Sequence, residues 1–320
     1  MLPTPAEIRA AADRLRGVIE RTPLTRSAPL SALANAEVYL KREDQQRTGS
    51  FKLRGAYNAL ASLTPEARAR GVVASSAGNH GLGLAFAARA LGVRATIFVP
   101  ATAPAVKRDG IVSLGATVDA SEPDYDRAHH AAESFALERG LAFVNPCAGE
   151  ALLAGQGTVA LEILEELPEV ATVIVPVGGG GLVGGMAAFL RAESPATRII
   201  GAQSDQTDAM ARSLAAGHRV DVDVTETLAD GLAGQVDDIG VAIGQFALDD
   251  IATVTEGDIA SAIAWLARVH DARVEGSGAV GVAALRAGRL PALRGPVVIV
   301  LTGRNIDDAR WQRVRDELPA

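Results

Sequence analysis

Short runs of apolar, often β-branched residues alternate along this chain with longer, alanine-rich segments of amphipathic pattern. Short apolar runs are typical of buried strands, and amphipathic segments of about ten or more residues are typical of helices. Their alternation predicts βα units around a mostly parallel sheet. The predicted strands are 38–41, 71–75, 94–99, 117–120, 142–145, 172–177, 198–203, 251–254 and 296–301.

Charge and composition exclude several classes of function. The 320-residue chain carries a formal net charge of −7, so it lacks the basic footprint of a nucleic-acid-binding protein. Its one cysteine cannot form an internal disulfide, and no Cys/His cluster has metal-ligand spacing, which favours a reducing, cytoplasmic location and no metal. Residues 170–190 lack charge but are rich in glycine and proline, which favours strand, loop and helix over a membrane span.

A glycine loop follows the predicted strand 172–177. It consists of Gly178, Gly179, Gly180 and Gly181. Residues without a Cβ let backbone N–H groups converge on an anion, and a following helix adds favourable potential, so the loop suits a phosphate. The loop also satisfies the G-x-G-x-x-G pattern through Gly179, Gly181 and Gly184, with Asp205 near where a ribose-binding acid would lie, which leaves NAD open. A glycine hinge is the structural alternative.

Two further loops stand at predicted strand-to-helix junctions. Residues 48–56 place Lys52 in the first turn of a helix, and it is one of only three lysines beside 28 arginines. Only a lysine could form a Schiff base there, because a guanidinium stays protonated, although a surface lysine is the simpler interpretation. Residues 75–81 combine small residues with a helix N-terminus, which suits a carboxylate, or else serve only as a helix cap.

Together these loops resemble the fold-type II pyridoxal-phosphate (PLP) enzymes, specifically the threonine/serine dehydratase and serine racemase group. The resemblance runs through residues 22–24, 48–56, 75–81, 154–158, 175–181, 229–231 and 301–307. It implies an α/β fold with two open, twisted, mostly parallel sheets and helices on both faces, as in the tryptophan synthase β chain. It implies a large PLP-binding domain at 1–70 and 149–320 and a small inserted domain at 71–148, and it favours PLP over NAD.

The resemblance also assigns roles around the cofactor. Lys52 is implied to bind PLP covalently and, once displaced by substrate, to act as the base at Cα. Phe51 would lie beside the ring, Asn79 would hydrogen-bond the 3′ oxygen, and the glycine loop with Leu182 would hold the phosphate. Thr302 takes the position facing the pyridine nitrogen, where a neutral hydroxyl favours early loss of a β-leaving group.

The implied activity is that of an ammonia-lyase acting on L-threonine, L-serine or a related β-hydroxy amino acid, in a homodimer. The residues implied around the substrate are Ser75, Ser76, Gly78, His80 and Arg127. Ala77 stands where racemases of the group have a serine, and alanine transfers no proton, so racemisation is disfavoured. A racemase or β-replacement enzyme is the enzymatic alternative, and a non-catalytic PLP- or nucleotide-binding protein is the alternative from another class.

Several positions depart from the pattern of the group. Gln203 and Ala209 replace carboxylate ligands of its cation site, so we expect no structural magnesium. Arg304 and the segment 274–281 are similar to a dehydratase branch associated with hydroxyectoine utilisation, which makes a hydroxyectoine-derived compound an alternative substrate. Cys147 is expected to be a small buried residue rather than a wall of the site. The pair His129–His130 is expected to be solvated surface.

Overall fold

The computed structural model describes residues 1–223 and 225–317. Its strands form two separate sheets, and helices connect most of the strands. The strands are β1 (Leu24–Arg26), β2 (Val38–Lys41), β3 (Val72–Ser75), β4 (Ala95–Pro100), β5 (Thr117–Glu122), β6 (Ala142–Phe143), β7 (Thr172–Pro176), β8 (Arg198–Ser204), β9 (Asp250–Val254) and β10 (Val297–Val300). The large sheet has the order β1-β2-β10-β7-β8-β9, and the small sheet has the order β5-β4-β3-β6.

Helices connect most of these strands. They are α1 (Pro5–Leu15), α2 (Ala28–Ala34), α3 (Lys52–Ala61), α4 (Pro65–Arg70), α5 (Asn79–Leu91), α6 (Ala105–Ser113), α7 (Tyr125–Arg139), α8 (Glu150–Glu166), α9 (Gly181–Glu193), α10 (Ala209–Ala216), α11 (Asp238–Ala247), α12 (Glu256–His270), α13 (Gly276–Arg286) and α14 (Asp308–Glu317). Short 3-10 helices lie at Glu43–Gln45 and Asp230–Leu232. Thr4 and Thr64 cap α1 and α4, each ahead of a proline, and left-handed Gly92 and Gly140 end α5 and α7.

Every described strand pair is parallel except β1 with β2. The predicted class, an α/β fold with two mostly parallel sheets, is therefore confirmed. Strand β7 shows how the large sheet is buried on both faces, because Val173 and Val175 pack into one apolar cluster and Ile174 into the other. Strands buried on both faces read as continuous apolar runs, which is the pattern that the sequence showed.

The strand predictions were wrong in three places. The short antiparallel edge strand β1 was missed, because three residues are too few for a periodic pattern. Strand β5 continues to Glu122, beyond its predicted end. Strand β6 stops at Phe143, two residues early, because Asn145 instead closes a turn in which its side chain accepts from the N–H groups of Cys147 and Ala148.

Parallel strands bring the loops at their carboxyl ends to one edge of a sheet. The residues between β2 and α3, between β7 and α9, and after β10 therefore meet at one edge of the large sheet. The loop between β3 and α5 and the start of α7 lie at the corresponding edge of the small sheet. A cavity opens where these two edges face each other.

Candidate active site

The cavity has a volume of about 370 Å³ and is bordered by loops from both sheets. Its lining includes predicted site residues from each of the three sequence loops and from the end of β10. These are Phe51, Lys52, Ser76, Gly78, Asn79, His80, the glycines 178–181, Leu182 and Thr302. Phe51 and Thr302, which are 251 positions apart in the sequence, thus share one space. This agrees with the rule that parallel sheets bind ligands at strand carboxyl ends.

Lys52 stands at the start of α3, which is held by the segment that follows β10. Ser50 pairs with Gly303 in an isolated antiparallel bridge, and the Phe51 N–H donates to the Thr302 carbonyl at 3.1 Å. The Lys52 Nζ atom donates to the Pro146 carbonyl at 2.9 Å and lies 5.3 Å from the centroid of the Phe51 ring. The backbone that carries Lys52 is therefore held in place, and its amine lies at the cavity near the Phe51 ring.

The glycine loop is a cradle that side chains would fill. A Cβ at Gly179 would lie 3.0 Å from Cys147 Sγ, and one at Gly181 would lie 3.0 Å from Cys147 backbone atoms. Gly180 has φ +91° and directly precedes the 13-residue helix α9. The first N–H groups of a helix have no partner within it, so this loop presents donors and the positive end of a helix dipole to an anion.

Asn79 is held by hydrogen bonds on both atoms of its amide. Its Nδ2 atom donates to Glu275 Oε1 at 2.7 Å, and its Oδ1 atom accepts from Asn305 Nδ2 at 2.6 Å. Asn305 also donates to the Thr48 carbonyl at 2.8 Å, which connects this chain to the loop that carries Lys52. The amide of Asn79 is consequently fixed in orientation, and its second N–H is directed by the same geometry.

Glu275 is a buried carboxyl at the start of α13. Burial raises the pKa of the Glu275 carboxyl to about 7, and the neighbouring charge of Asp230 acts in the same direction. The Asn79 amide and the positive charge of Lys107 act against this rise in pKa. Lys107 and Asp230 form an ion pair of 3.1 Å between α6 and the 3-10 helix Asp230–Leu232. A carboxyl that titrates near neutral pH thus lines the cavity.

His80 is buried and neutral. Burial lowers the pKa of the His80 imidazole to about 3, and the positive charge of Lys52 acts in the same direction. Its Nε2 atom lies 3.0 Å from the Val144 carbonyl, so the proton resides on Nε2. Within the described part of the chain, Nδ1 has no hydrogen-bond partner. The ring therefore offers a bare acceptor nitrogen rather than a positive charge.

Two of the predicted substrate residues are not brought to the cavity. Ser75 is buried behind it, and its Oγ atom lies 2.7 Å from His129 Nδ1. Arg127 points into solvent from α7, with its side chain 68% exposed, and lies 3.6 Å from Asp124. In this structure Ser76, Gly78 and His80, at the N-terminus of α5, are the predicted carboxylate-binding residues that line the cavity.

Two other expectations were wrong. Cys147 is a half-buried wall of the cavity rather than a buried core residue, because the turn closed by Asn145 places it against the glycine loop. His129 is not solvated surface, since its ring packs edge-on against Phe143 at 5.4 Å. His130 does face solvent, with its side chain 79% exposed.

The cavity also contains residues that the sequence analysis did not select. These are Lys107, Tyr125, Asp230, Glu275, Ser277 and Asn305. Glu275 and Ser277 belong to the start of α13, and the other four residues come from separate loops or helices. Four of them had a signal in the sequence, because Asp230, Glu275, Ser277 and Asn305 lie in the segments 229–231, 274–281 and 301–307 that carry the family resemblance. Lys107 and Tyr125 had none.

A lysine amine beside an aromatic ring, facing an anion cradle at a helix N-terminus, defines the class of PLP-dependent enzymes. The chain belongs to the pyridoxal-phosphate dependent enzyme family, whose model matches residues 15–303. It is 42% identical over 302 residues to the L-threonine ammonia-lyase of Thermotoga maritima, covering 94% of this chain and 75% of that protein.

Solved structures agree with this family. Maize serine racemase superposes with a TM-score of 0.93 at 32% identity, covering 99% of this chain and 98% of that one. Processed threonine deaminase isoform 2 of Solanum lycopersicum gives a TM-score of 0.89 at 33% identity, covering 97% and 85%. The fold is that of the fold-type II PLP enzymes, and pyridoxal phosphate is the cofactor of this family.

Among residues 1–223 and 225–317, every helix is too short or too polar to cross a bilayer. No group of three or more His, Cys, Asp or Glu residues in this part of the chain is placed to hold a metal ion. Gln203 makes internal hydrogen bonds, accepting from the Ala211 N–H at 2.9 Å and donating to the Thr207 carbonyl at 3.3 Å.

Proposed function

We propose that this protein is a PLP-dependent ammonia-lyase that converts L-threonine, L-serine or a related β-hydroxy amino acid to a 2-oxo acid and ammonia. The observation that carries the proposal is Lys52, whose amine enters the cavity at the start of α3, in the same space as the glycine cradle and the buried hydroxyl of Thr302. The name of the Thermotoga maritima relative supports the same reaction.

The residues present fit the cofactor. A Cβ at Gly179 or Gly181 would crowd Cys147 at 3.0 Å, and a loop without side chains suits a phosphate held by backbone N–H groups, with Leu182 in the first turn of α9. Phe51 would lie beside the ring, and the fixed amide of Asn79 would direct its free N–H to the 3′ oxygen. When bound to Lys52, PLP supplies an electron sink that acidifies the Cα–H bond of an amino acid.

The chain's own residues then bind and orient the substrate and move one proton. Ser76 and Gly78, at the N-terminus of α5, provide hydrogen-bond donors and a favourable dipole for the carboxylate. The Lys52 amine, once released, takes the Cα proton, and the carboxylate contacts hold the Cα–H bond toward it. With PLP bound, Thr302 would offer a neutral hydroxyl to the pyridine nitrogen instead of a carboxylate, which would favour elimination.

A racemase needs a second acid or base on the opposite face of the substrate. Ala77 lines the cavity at the position considered for that role and cannot transfer a proton. The similarity to maize serine racemase keeps racemisation as the competing outcome of the experiment below. A hydroxyectoine-derived amino acid is the competing substrate.

The proposal extends to how the chain is organised. Residues 71–148, which contain every strand of the small sheet, would form the domain that closes over substrate, and 1–70 with 149–320 would form the PLP-binding domain. We further propose a homodimer, as the family resemblance implies. We also propose a cytoplasmic location, because a single cysteine suits a reducing compartment. Sedimentation of the purified holoenzyme would distinguish a dimer from a monomer.

The decisive experiment compares wild type with Lys52→Ala and Lys52→Arg. We expect wild type to show the visible absorption of lysine-bound PLP and to form 2-oxo acid from L-threonine or L-serine. Both variants should lose that band and at least roughly 10³-fold in rate, because neither side chain can bind PLP covalently or act as the base. The arginine variant is the matched control, since it keeps the positive charge.

Other outcomes would redirect or overturn the proposal. Chiral analysis that finds D-serine in place of the 2-oxo acid would favour the racemase. A visible band without product from either amino acid would move the search to other β-hydroxy amino acids. Oxo acid formation that persists at the wild-type rate in Lys52→Ala would contradict the assigned role of Lys52.

A further inference from the structure

Glu275 and Asn305 line the cavity and have no role in the reaction described so far. Both contact Asn79, whose amide the proposed function directs to the 3′ oxygen of the cofactor. An asparagine amide can occupy its place in two orientations, which exchange the positions of its oxygen and its nitrogen. The contacts of Asn79 therefore decide whether an N–H donor or an oxygen meets the cofactor.

A backbone carbonyl fixes the orientation of the Asn305 amide. Asn305 Nδ2 donates to the Thr48 carbonyl oxygen at 2.8 Å. A carbonyl oxygen can only accept, so the nitrogen of Asn305 must face Thr48 whatever its other neighbours are. Thr48 is four positions before Lys52, in the loop that enters α3, so this fixed point belongs to the loop that carries the proposed base.

The second N–H of Asn305 passes this orientation on to Asn79. Asn305 Nδ2 also donates to Asn79 Oδ1 at 2.6 Å, so the oxygen of the Asn79 amide faces Asn305. On its other side, Asn79 Nδ2 donates to Glu275 Oε1 at 2.7 Å, and Glu275 is only 4% exposed, so water cannot readily replace this bond. Reversing the Asn79 amide would lose both hydrogen bonds and would place its nitrogen against the nitrogen of Asn305.

The orientation of Asn79 bears on the electronic state of the cofactor. A donor at the 3′ oxygen stabilises the ionised form of that oxygen, whereas an amide oxygen at the same place would destabilise it. Movement of a proton onto the 3′ oxygen shifts the absorption of lysine-bound PLP from the visible to the near ultraviolet. The ratio of these two absorptions therefore reports which end of the Asn79 amide faces the cofactor.

We propose that Asn305 and Glu275 are positioning residues, which hold the nitrogen of the Asn79 amide toward the cofactor and so keep its 3′ oxygen ionised. Both act through Asn79, so neither has to touch the cofactor. This inference rests on the proposed function and deepens it by naming two residues, 226 and 196 positions from Asn79, that set the electronic state of the cofactor.

The main test compares Asn305→Asp with wild-type holoenzyme. The substitution keeps the size of the side chain and removes its N–H donors, so the Asn79 amide should turn its nitrogen toward the new carboxylate and its oxygen toward the cofactor. We expect the ratio of visible to near-ultraviolet absorption to fall at least about fivefold, as for a hydrogen bond exchanged for a repulsion. A spectrum recorded without substrate measures this ratio independently of turnover.

A double-variant cycle separates this effect from a disturbance of the Lys52 loop through Thr48. In the Asn79→Ala background no amide remains to be reversed, so adding Asn305→Asp should change the absorption ratio by less than about twofold. A further fall as large as the one caused by Asn305→Asp alone would show that Asn305 does not act through Asn79, and would overturn the inference.

Asn58→Asp is the matched control. Asn58 is also a buried amide whose Nδ2 donates to a backbone carbonyl, that of Ala151 at 2.6 Å, and in the described part of the chain it lies outside the cavity lining. This variant should lower the midpoint of urea denaturation without shifting the absorption ratio. An equal fall of the ratio in Asn58→Asp and Asn305→Asp would contradict a role specific to Asn305.

A conservative pair tests Glu275. Glu275→Gln keeps an oxygen that can accept from Asn79 and should hold the absorption ratio within about twofold of wild type, whereas Glu275→Leu has no acceptor and should lower the ratio further. This pair decides the question if Asn305→Asp fails to fold or to bind PLP, since equal ratios in the two Glu275 variants would overturn the inference.

The failure of this inference differs from that of the proposed function. A visible PLP band in wild type whose ratio to the near-ultraviolet absorption is unchanged in Asn305→Asp would overturn the inference alone. Wild-type protein that binds no PLP would overturn the proposed function and the inference together.

Discussion

Two groups of buried ionisable side chains near α3 differ in how their charges are compensated. Behind the helix, Lys41, Glu43, Arg54 and Glu162 form a closed network of two cations and two anions. In the cavity, His80 and Glu275 are buried, and among residues 1–223 and 225–317 neither has an ion-pair partner.

The network behind α3 is neutral as a whole and saturated with hydrogen bonds. Arg54 is fully buried and pairs with Glu43 at 2.8 Å and with Glu162 at 2.7 Å, and Lys41 donates to Glu162 at 2.6 Å. Burial alone would raise the pKa of the Glu162 carboxyl, but the charges of Arg54 and Lys41 hold that pKa below its usual value. Thr22 adds a short hydrogen bond to Glu43.

The cavity groups respond to burial by shifting their pKa values instead. His80 is neutral because its pKa is lowered to about 3, and Glu275 is poised because its pKa is raised to about 7. A paired charge contributes a fixed scaffold, whereas an unpaired one stays available to a ligand and costs stability. Burial of an ionisable group therefore does not by itself indicate a functional site. A buried group without a compensating charge is the stronger indication.

Arg54→Met should break the closed network and give the largest effect. It leaves Glu43 and Glu162 buried with only Lys41 to compensate them, which should lower the free energy of unfolding by about 3–5 kcal/mol. Urea denaturation at pH 7 measures this loss. The matched control is Arg21→Met, which removes an ion pair to Glu165 that is 51% exposed on both sides and should cost at most about 1 kcal/mol. Similar losses in both variants would contradict the contrast between buried and exposed pairs.

Glu275→Gln tests whether the buried carboxyl in the cavity makes stability depend on pH. The amide keeps an acceptor for Asn79 and removes the carboxyl whose pKa is raised from 4.5 to about 7. In that pH window the folded state binds more protons than the unfolded one, so this group makes stability fall as pH rises. As pH rises from 5 to 8, the free energy of unfolding of the variant should therefore increase by about 2 to 3 kcal/mol relative to that of wild type. Urea midpoints of the cofactor-free proteins test this, and a constant difference across both pH values would refute it.

His80→Gln gives the smallest effect and the opposite sign. The amide can still donate to the Val144 carbonyl, and it removes a group whose pKa is lowered from 6.5 to about 3. Between these values the unfolded state binds more protons, so His80 makes stability fall as pH falls. Relative to wild type, the cofactor-free variant should gain about 2 kcal/mol between pH 7 and pH 5. In wild type the two cavity groups oppose each other over this range, so only the single variants reveal each one; a pH-independent difference would refute the assignment.

Much of the fold and the centre of the site could be predicted from the sequence. The α/β class with a mostly parallel sheet followed from periodicity, because residues buried on both faces of a parallel strand must be apolar whatever their neighbours are. The division into two sheets was implied only by the resemblance to the fold-type II PLP enzymes. The roles proposed for Lys52 and the glycine loop rest on local requirements, since a lysine in the first turn of a helix and a run without Cβ atoms are visible in the chain itself. The structure brings these residues into one cavity.

The long-range neighbours of each site residue, and the protonation states that these neighbours impose, depend on the folded chain. Glu275 meets Asn79 across 196 positions, and Asn305 meets Asn79 across 226, so no local pattern connects them. Arg127 and Tyr125 stand on the same helix turn, and only the packing of α7 directs one to solvent and the other to the cavity. Sequence spacing determines which residue types are available near a strand end. Burial and distance, which set pKa values and hydrogen bonds, exist only once the chain has folded.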